Sequence, residues 1–159
     1  MLQINNLTCG YDSGFTLHDA GLQVKTGEVL GIIGPNGSGK TTLLRAMTRA
    51  LKPRNGNILL EGKNIWQMKI KELARKVAVV SQSPETGSMT VEEFVLLGRI
   101  PYYGKFQFLE TKNDQKIACD AMALTDSLRL KDQFMGELSG GERQLAMMAR
   151  AITQEPKLL

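Results

Sequence analysis

The sequence is poor in the residues that several functional classes require. Its 159 residues include two cysteines and one histidine. Cys9 and Cys119 are too far apart for a CxxC pair and too few for a disulfide framework, so they read as two reduced thiols. His18 alone builds no histidine-rich metal site. No stretch approaches the ~20 apolar residues of a membrane-spanning helix. The opening Met1-Leu2-Gln3-Ile4-Asn5-Asn6 has no basic run leading into an apolar core, which argues against a secretion signal. Attachment to a membrane would then run through a partner protein. There is no internal repeat, low-complexity run or linker. The formal charge of +4 brings no dense basic cluster with it. The patch from Lys69 to Lys76 is interleaved with Glu72 and apolar residues, as on a solvated helix face, so no nucleic-acid partner is expected.

The remaining composition, 42% hydrophobic and 23% charged, is that of a soluble globular chain long enough to bury a real core. Leu2 to Leu7 and Phe15 to Val24 alternate loosely between apolar and polar residues, as half-buried antiparallel strands do. Thr26-Gly27-Glu28 marks a turn. Val29-Leu30-Gly31-Ile32-Ile33 is a continuous apolar run, the pattern of a strand covered on both faces in a parallel sheet. Leu43, Leu44, Met47, Ala50 and Leu51 fall at helical spacing, and Lys52-Pro53-Arg54-Asn55-Gly56 breaks that helix. Asn57 to Leu60 predicts a strand, Ile70 to Lys76 a helix, and Val77 to Ser81 a second buried strand. Thr90, with Glu93 three residues on, predicts a capped helix from Val91 to Leu97. A turn follows over Gly98 to Gly104. Helices are then expected over about 111–124 and 126–130. A last one runs from about Gly141 to Gln154, with Leu145, Met148, Ala149 and Ile152 on one face.

Two short segments carry chemistry. The first, Gly34-Pro35-Asn36-Gly37-Ser38-Gly39-Lys40-Thr41-Thr42, fits the phosphate-loop pattern G-x-x-x-x-G-K-[ST] between an apolar run and an amphipathic helix. Wrapping a polyphosphate requires backbone N–H groups aimed inward, and glycine allows both the dihedrals and the close approach. The following helix presents its positive end to the phosphates. Lys40 supplies a point charge, and the Thr41 hydroxyl is a hard oxygen suited to Mg²⁺. The second segment, Leu138-Ser139-Gly140-Gly141-Glu142, opens the last helix. It reads either as an ordinary S-x-x-E capping box or as a second anion site at a helix N-terminus.

With both segments in this order, the chain resembles the ATP-binding cassette (ABC) ATPases over nearly its whole length. Gly34 to Thr42 resembles the family's Walker A loop. Leu138 to Glu142 resembles its signature, with Glu142 where glutamine is commoner. Gln82 matches the glutamine of the Q-loop, and Tyr11 sits where the family keeps an aromatic that stacks on adenine; the other reading of Tyr11 is a plain surface or core tyrosine. The resemblance implies an α/β P-loop NTPase cassette, a mixed sheet with an N-terminal antiparallel part plus a helical subdomain, incomplete at the C-terminus. Its parts would be 1–82, the nucleotide-binding core, 83–135, the helical subdomain, and 136–159, the signature helix and the start of a strand. The implied ligands are ATP and Mg²⁺. ATP would be held by Tyr11, Gly34, Asn36, Gly37, Ser38, Gly39, Lys40, Thr41 and Thr42, and the metal by Thr41 and Gln82, with Lys40 and Gln82 serving catalysis. Leu138, Ser139, Gly140, Gly141 and Glu142 would act in trans on the nucleotide of a second ATPase subunit, in a head-to-tail dimer.

Pro156-Lys157-Leu158-Leu159 resembles the start of the family's next strand, but the acidic pair that ends that strand is not in this sequence, nor is the later switch histidine. The resemblance therefore implies weak nucleotide binding and poor hydrolysis by this chain. The segment from Thr90 to Tyr102, above all Gly98-Arg99-Ile100-Pro101-Tyr102, resembles importers of iron–siderophore complexes, haem and cobalamin. That branch implies permease subunits as partners and a cytoplasmic location peripheral to the membrane. Too few residues separate Gln82 from Leu138 for the coiled coil of DNA-repair members. A translation-type member, or a nucleotide-binding module without turnover, is the alternative.

Overall fold

A computed structural model describes residues 1–12, 14–81 and 88–159. The chain divides into two compact units, Met1–Lys69 and Ile70–Leu159.

The first unit is built on a four-stranded antiparallel sheet. Strands β1 (Leu2–Gly10), β2 (Thr16–Val24), β3 (Asn55–Leu60) and β4 (Lys63–Asn64) lie in the order β2-β1-β3-β4. Central β1 places Leu2 between Val24 and Leu60, and Ile4 between Leu22 and Ile58. Strict alternation from Leu2 and Ile4 would then bury Asn6 and Thr8. An irregularity between Ile4 and Leu7, with Asn6 at φ 46°, shifts the period by one residue instead. Leu7 and Cys9 consequently join Leu2, Ile4, Ile58 and Leu60 in the core. Burial pushes the Cys9 thiol pKa up, in keeping with an unreactive core thiol. Helix α1 (Lys40–Met47) buries Thr42, Leu43 and Ala46 and ends at Thr48, so Ala50 and Leu51 lie beyond it.

The run Val29–Ile33 departs from expectation. It forms no strand, and Val29 and Ile33 are 97% and 95% exposed. A covered strand needs neighbours for its N–H and C=O groups on both edges. Among the described residues none pairs with this run. The described sheet is antiparallel throughout. Among the described residues, parallel pairing is confined to one bridge in the second unit, Val77 to Leu158, supported by a hydrogen bond from the Ala78 N–H to the Leu158 carbonyl at 3.0 Å. Lys157–Leu159 thus does begin a strand-like contact, whereas Val79 and Val80 stay exposed.

The second unit is helical: α2 (Ile70–Ala74), α3 (Val91–Leu96), α4 (Lys112–Leu124) and α5 (Gly140–Thr153), with 3₁₀ turns at Leu97–Tyr102 and Leu128–Leu130. Its core packs Val91, Phe94 and Val95 of α3 against Ala118 and Met122 of α4 and Ala146, Met147 and Ala149 of α5. The buried face of α5 is therefore set by small residues around Met147, while Met148 is exposed and Leu145 and Ile152 are half-buried. Alanines let the neighbouring helices approach closely, and this outweighs the larger side chains one step round the helix. The same closeness explains Gly98. A Cβ there would lie 2.4 Å from the Arg150 carbonyl oxygen of α5.

A buried arginine ties this unit together. Arg99 donates through Nε to Asp114 Oδ1 at 2.9 Å and through Nη1 to Glu155 Oε2 at 2.7 Å and the Thr153 carbonyl at 2.9 Å. Its guanidinium lies 3.9 Å from the Tyr102 ring centroid, and the Tyr102 hydroxyl donates to the Gln154 carbonyl at 3.0 Å. The Gln154 amide in turn donates to the carbonyls of Ala74 and Val77. Burial alone would raise the Asp114 carboxyl pKa. Hydrogen bonds from the Thr111 hydroxyl and N–H and from Arg99 more than offset this and hold it below the ordinary carboxylate value.

Candidate nucleotide-binding site

The loop from Gly34 to Ser38 is exposed, and it runs directly into α1 through Gly39, a left-handed N-cap residue at φ 95°. The close approach at Gly39 is as demanding as its dihedral. A Cβ there would stand 2.8 Å from Cε1 of Phe15. Helices α3, α4 and α5 close their N-termini with capping boxes, Thr90/Glu93, Thr111/Asp114 and Ser139/Glu142. Helix α1 has neither a side-chain cap nor an acidic residue in its first turn. Its leading N–H groups and the positive end of its dipole face the loop without an internal acceptor, the arrangement that accommodates an anion.

Lys40 curls back into this loop. Its Nζ donates to the Gly34 and Pro35 carbonyls, both at 2.8 Å, and to Ser38 Oγ at 3.5 Å. None of these partners is a carboxylate, so the ammonium's charge is not neutralised there. Thr41 is exposed at the first turn and Thr42 is buried, so only the former is free to bind a metal ion. Magnesium takes hard oxygen ligands, and the Thr41 hydroxyl fits that requirement. Asn36 is exposed within the loop. Gln82, the other expected metal and catalytic residue, lies outside the described residues. Among the described residues no group of three His, Cys, Asp or Glu side chains suits a metal ion, and His18 is exposed on β2.

Tyr11 lies just past β1, 40% exposed. Its N–H donates to the Phe15 carbonyl at 3.2 Å, and its hydroxyl accepts from Arg45 Nη1 of α1 at 2.6 Å. Two residues of this neighbourhood escaped the sequence reading. Phe15 was read only as a strand residue, although its ring packs on Gly39. The available signal for Phe15 was a second aromatic just beyond Tyr11 across a turn. For Arg45 there was none.

In the second unit, Ser139 is the N-cap of α5. Its Oγ accepts from the Glu142 N–H at 3.3 Å, while its own hydroxyl and N–H donate to Glu142 Oε2 at 2.7 and 3.1 Å. These two donors, with Arg129 Nη1 at 3.4 Å from Glu142 Oε1, hold the Glu142 carboxyl below the usual glutamate value. The capping-box reading of this segment is therefore realised. It does not account for the glycines, because a Cβ on Gly140 or Gly141 would meet nothing within 4 Å. Leu138 is buried in the helical core behind them.

A glycine loop feeding an uncapped helix, with an unneutralised lysine in its bowl, defines a nucleotide-binding fold of the P-loop class. The chain belongs to the ABC transporter family, whose model matches residues 17–159. An ABC transporter ATP-binding protein of Methanocaldococcus jannaschii is 41% identical over 160 residues, covering 100% of this chain and 55% of that protein. The ferric enterobactin transport ATP-binding protein FepC of Escherichia coli is 36% identical over 99% of this chain and 58% of its own length. The petrobactin import ATP-binding protein FpuC of Bacillus anthracis is 35% identical over 100% and 58%. Among solved structures, a nucleotide-free ATP-binding cassette from an ABC transporter superposes with a TM-score of 0.84 at 31% identity, over 98% of this chain and 66% of that one. The chain thus spans little more than half the length of these curated relatives. Among the described residues, no helix is long and apolar enough to cross a membrane.

Proposed function

We propose that this chain forms the ATP-binding part of an importer for metal-chelate compounds. The observation that carries the nucleotide reading is the pairing of Lys40 with the uncapped start of α1. In this reading Lys40 leaves the Gly34 and Pro35 carbonyls for the β- and γ-phosphates, and the N–H groups from Gly37 to Thr42 surround them. Thr41 would hold Mg²⁺, which would neutralise phosphate charge. Tyr11 stacks on the base, since an aromatic face needs little else for recognition. Ser139, Gly140 and Gly141 serve the nucleotide of a second copy in a head-to-tail pair. The open space around both glycines supports this, because it leaves room for an approaching ligand. The importer branch rests on the Gly98–Tyr102 segment and on the likeness to FepC and FpuC. In it, the surface from Gln82 to about Gly104 meets a permease, which keeps the ATPase at the membrane's cytoplasmic side.

Hydrolysis needs a group that orients or deprotonates the attacking water. The motif positions in this chain supply none, and Glu142 is engaged by Ser139 and Arg129. The chain alone is therefore expected to bind Mg·ATP and release phosphate slowly. Phosphate release that is fast, and abolished by Lys40→Ala, would overturn the second half of this statement while supporting the first.

A further inference from the structure

The base and the phosphates of a nucleotide are recognised by different parts of the first unit, and something must set the distance between them. Tyr11 belongs to the β1–β2 turn, whereas the phosphate loop ends in α1. Arg45 joins Tyr11 to that helix. Arg45 lies on α1, five residues beyond Lys40, and its Nη1 donates to the Tyr11 hydroxyl at 2.6 Å. The turn is held by backbone bonds at the same time, from the Tyr11 N–H to the Phe15 carbonyl at 3.2 Å and from the Gly14 N–H to the Tyr11 carbonyl at 3.4 Å. Phe15 then rests on Gly39, the residue before Lys40. Both ends of the turn are therefore referred to one helix, Phe15 at its start and Tyr11 one and a half turns further along.

We propose that Arg45 is a positioning residue for the nucleobase: by holding the Tyr11 phenol, it fixes the aromatic ring in register with the phosphate loop, so that the chain prefers a base-bearing triphosphate to a bare one. This rests on the reading of Tyr11 as the base platform. The physical reason is preorganisation. An exposed tyrosine samples several χ1 and χ2 wells, and stacking on it must first remove that freedom. A charged, planar donor on a helix removes it in advance. Lysine is a poorer substitute, because its ammonium lacks the planar fork that holds the phenol in one direction.

The test is calorimetric titration of the full chain with Mg·ATP and with Mg·tripolyphosphate, which carries the phosphates without the base. Arg45→Met and Tyr11→Phe should each weaken ATP binding by roughly three- to tenfold and leave tripolyphosphate unchanged. The double variant should be no weaker than either single one, because both remove the same bond. Arg45→Lys should recover part of the loss. Both substituted positions are exposed, so folding is not at stake. Equal losses for ATP and tripolyphosphate would overturn the proposal, since Arg45 would then act on phosphate charge. So would an Arg45→Met variant that keeps its full preference for ATP while Tyr11→Ala destroys it. If Tyr11→Ala itself keeps the preference, the stacking reading fails, and the proposal with it.

Discussion

Lys40→Ala is expected to lower the affinity for Mg·ATP by about 30- to 1,000-fold while leaving the melting temperature nearly unchanged. The substitution removes charge-assisted hydrogen bonds to phosphate, about 2–4 kcal/mol in all. The two effects separate because of where Lys40 sits. Its partners are two carbonyls of its own exposed loop and one hydroxyl, so its removal strands no buried charge. Lys40→Arg should not rescue binding fully. The loop closes round a compact ammonium 2.8 Å from two carbonyls, and a guanidinium is wider and donates along fixed directions. Titration calorimetry and thermal unfolding on the same samples check both parts. A loss of binding that merely tracks a loss of fold would remove Lys40 from the site.

The largest effect on stability should come from a residue outside the nucleotide site. Arg99 is 4% exposed, and its removal leaves Asp114, also buried, with Thr111 as its remaining donor. Breaking one side of a buried ion pair costs about 3–5 kcal/mol. For a helical unit of this size, Arg99→Met should lower the melting midpoint by at least about 10 °C. Arg99→Met combined with Asp114→Asn should recover part of that loss, because the stranded charge goes with its partner. The pair also predicts an acid limb. Hydrogen bonds from Thr111 and Arg99 hold the Asp114 carboxyl below the ordinary carboxylate value in the folded chain, so its contribution is fully present above the unfolded pKa and is lost as pH falls through the lower, folded one. Asp114→Asn should therefore flatten the loss of stability below about pH 4. Chemical unfolding across pH 2–6 would show this as a smaller slope. An unchanged slope would mean that Asp114 is not charged against Arg99 in the folded chain.

The parts of the molecule legible in sequence are those written in short-range spacing. Thr90/Glu93 and Ser139/Glu142 sit three residues apart, and each makes the reciprocal cap that the spacing implies. The phosphate loop and the start of α1 are legible for the same reason, since glycine dihedrals and a helix N-terminus are local properties. What the sequence hid depends on distant partners. Arg99 and Glu155 are 56 residues apart, and Arg45 and Tyr11 are 34 apart. No periodicity links such pairs. The bulge at Asn6 was hidden because alternation assumes an unbroken period. Val29–Ile33 was read as a covered strand because its composition demands cover. Cover is supplied by neighbours, and the described residues provide none. On α5, the expected face of Leu145, Met148, Ala149 and Ile152 holds only for Ala149, because close packing buries Ala146, Met147 and Ala149 instead.

A nucleotide held by the loop Gly34 to Thr42, with Tyr11 at the base, would shield the backbone it touches. Hydrogen exchange of the full chain, with and without Mg·ATP, locates that contact directly. Slowed exchange is expected at the amides from Gly37 to Leu43 and in the turn around Tyr11, all of it lost in Lys40→Ala. Protection that appears elsewhere, or that persists in Lys40→Ala, would contradict it.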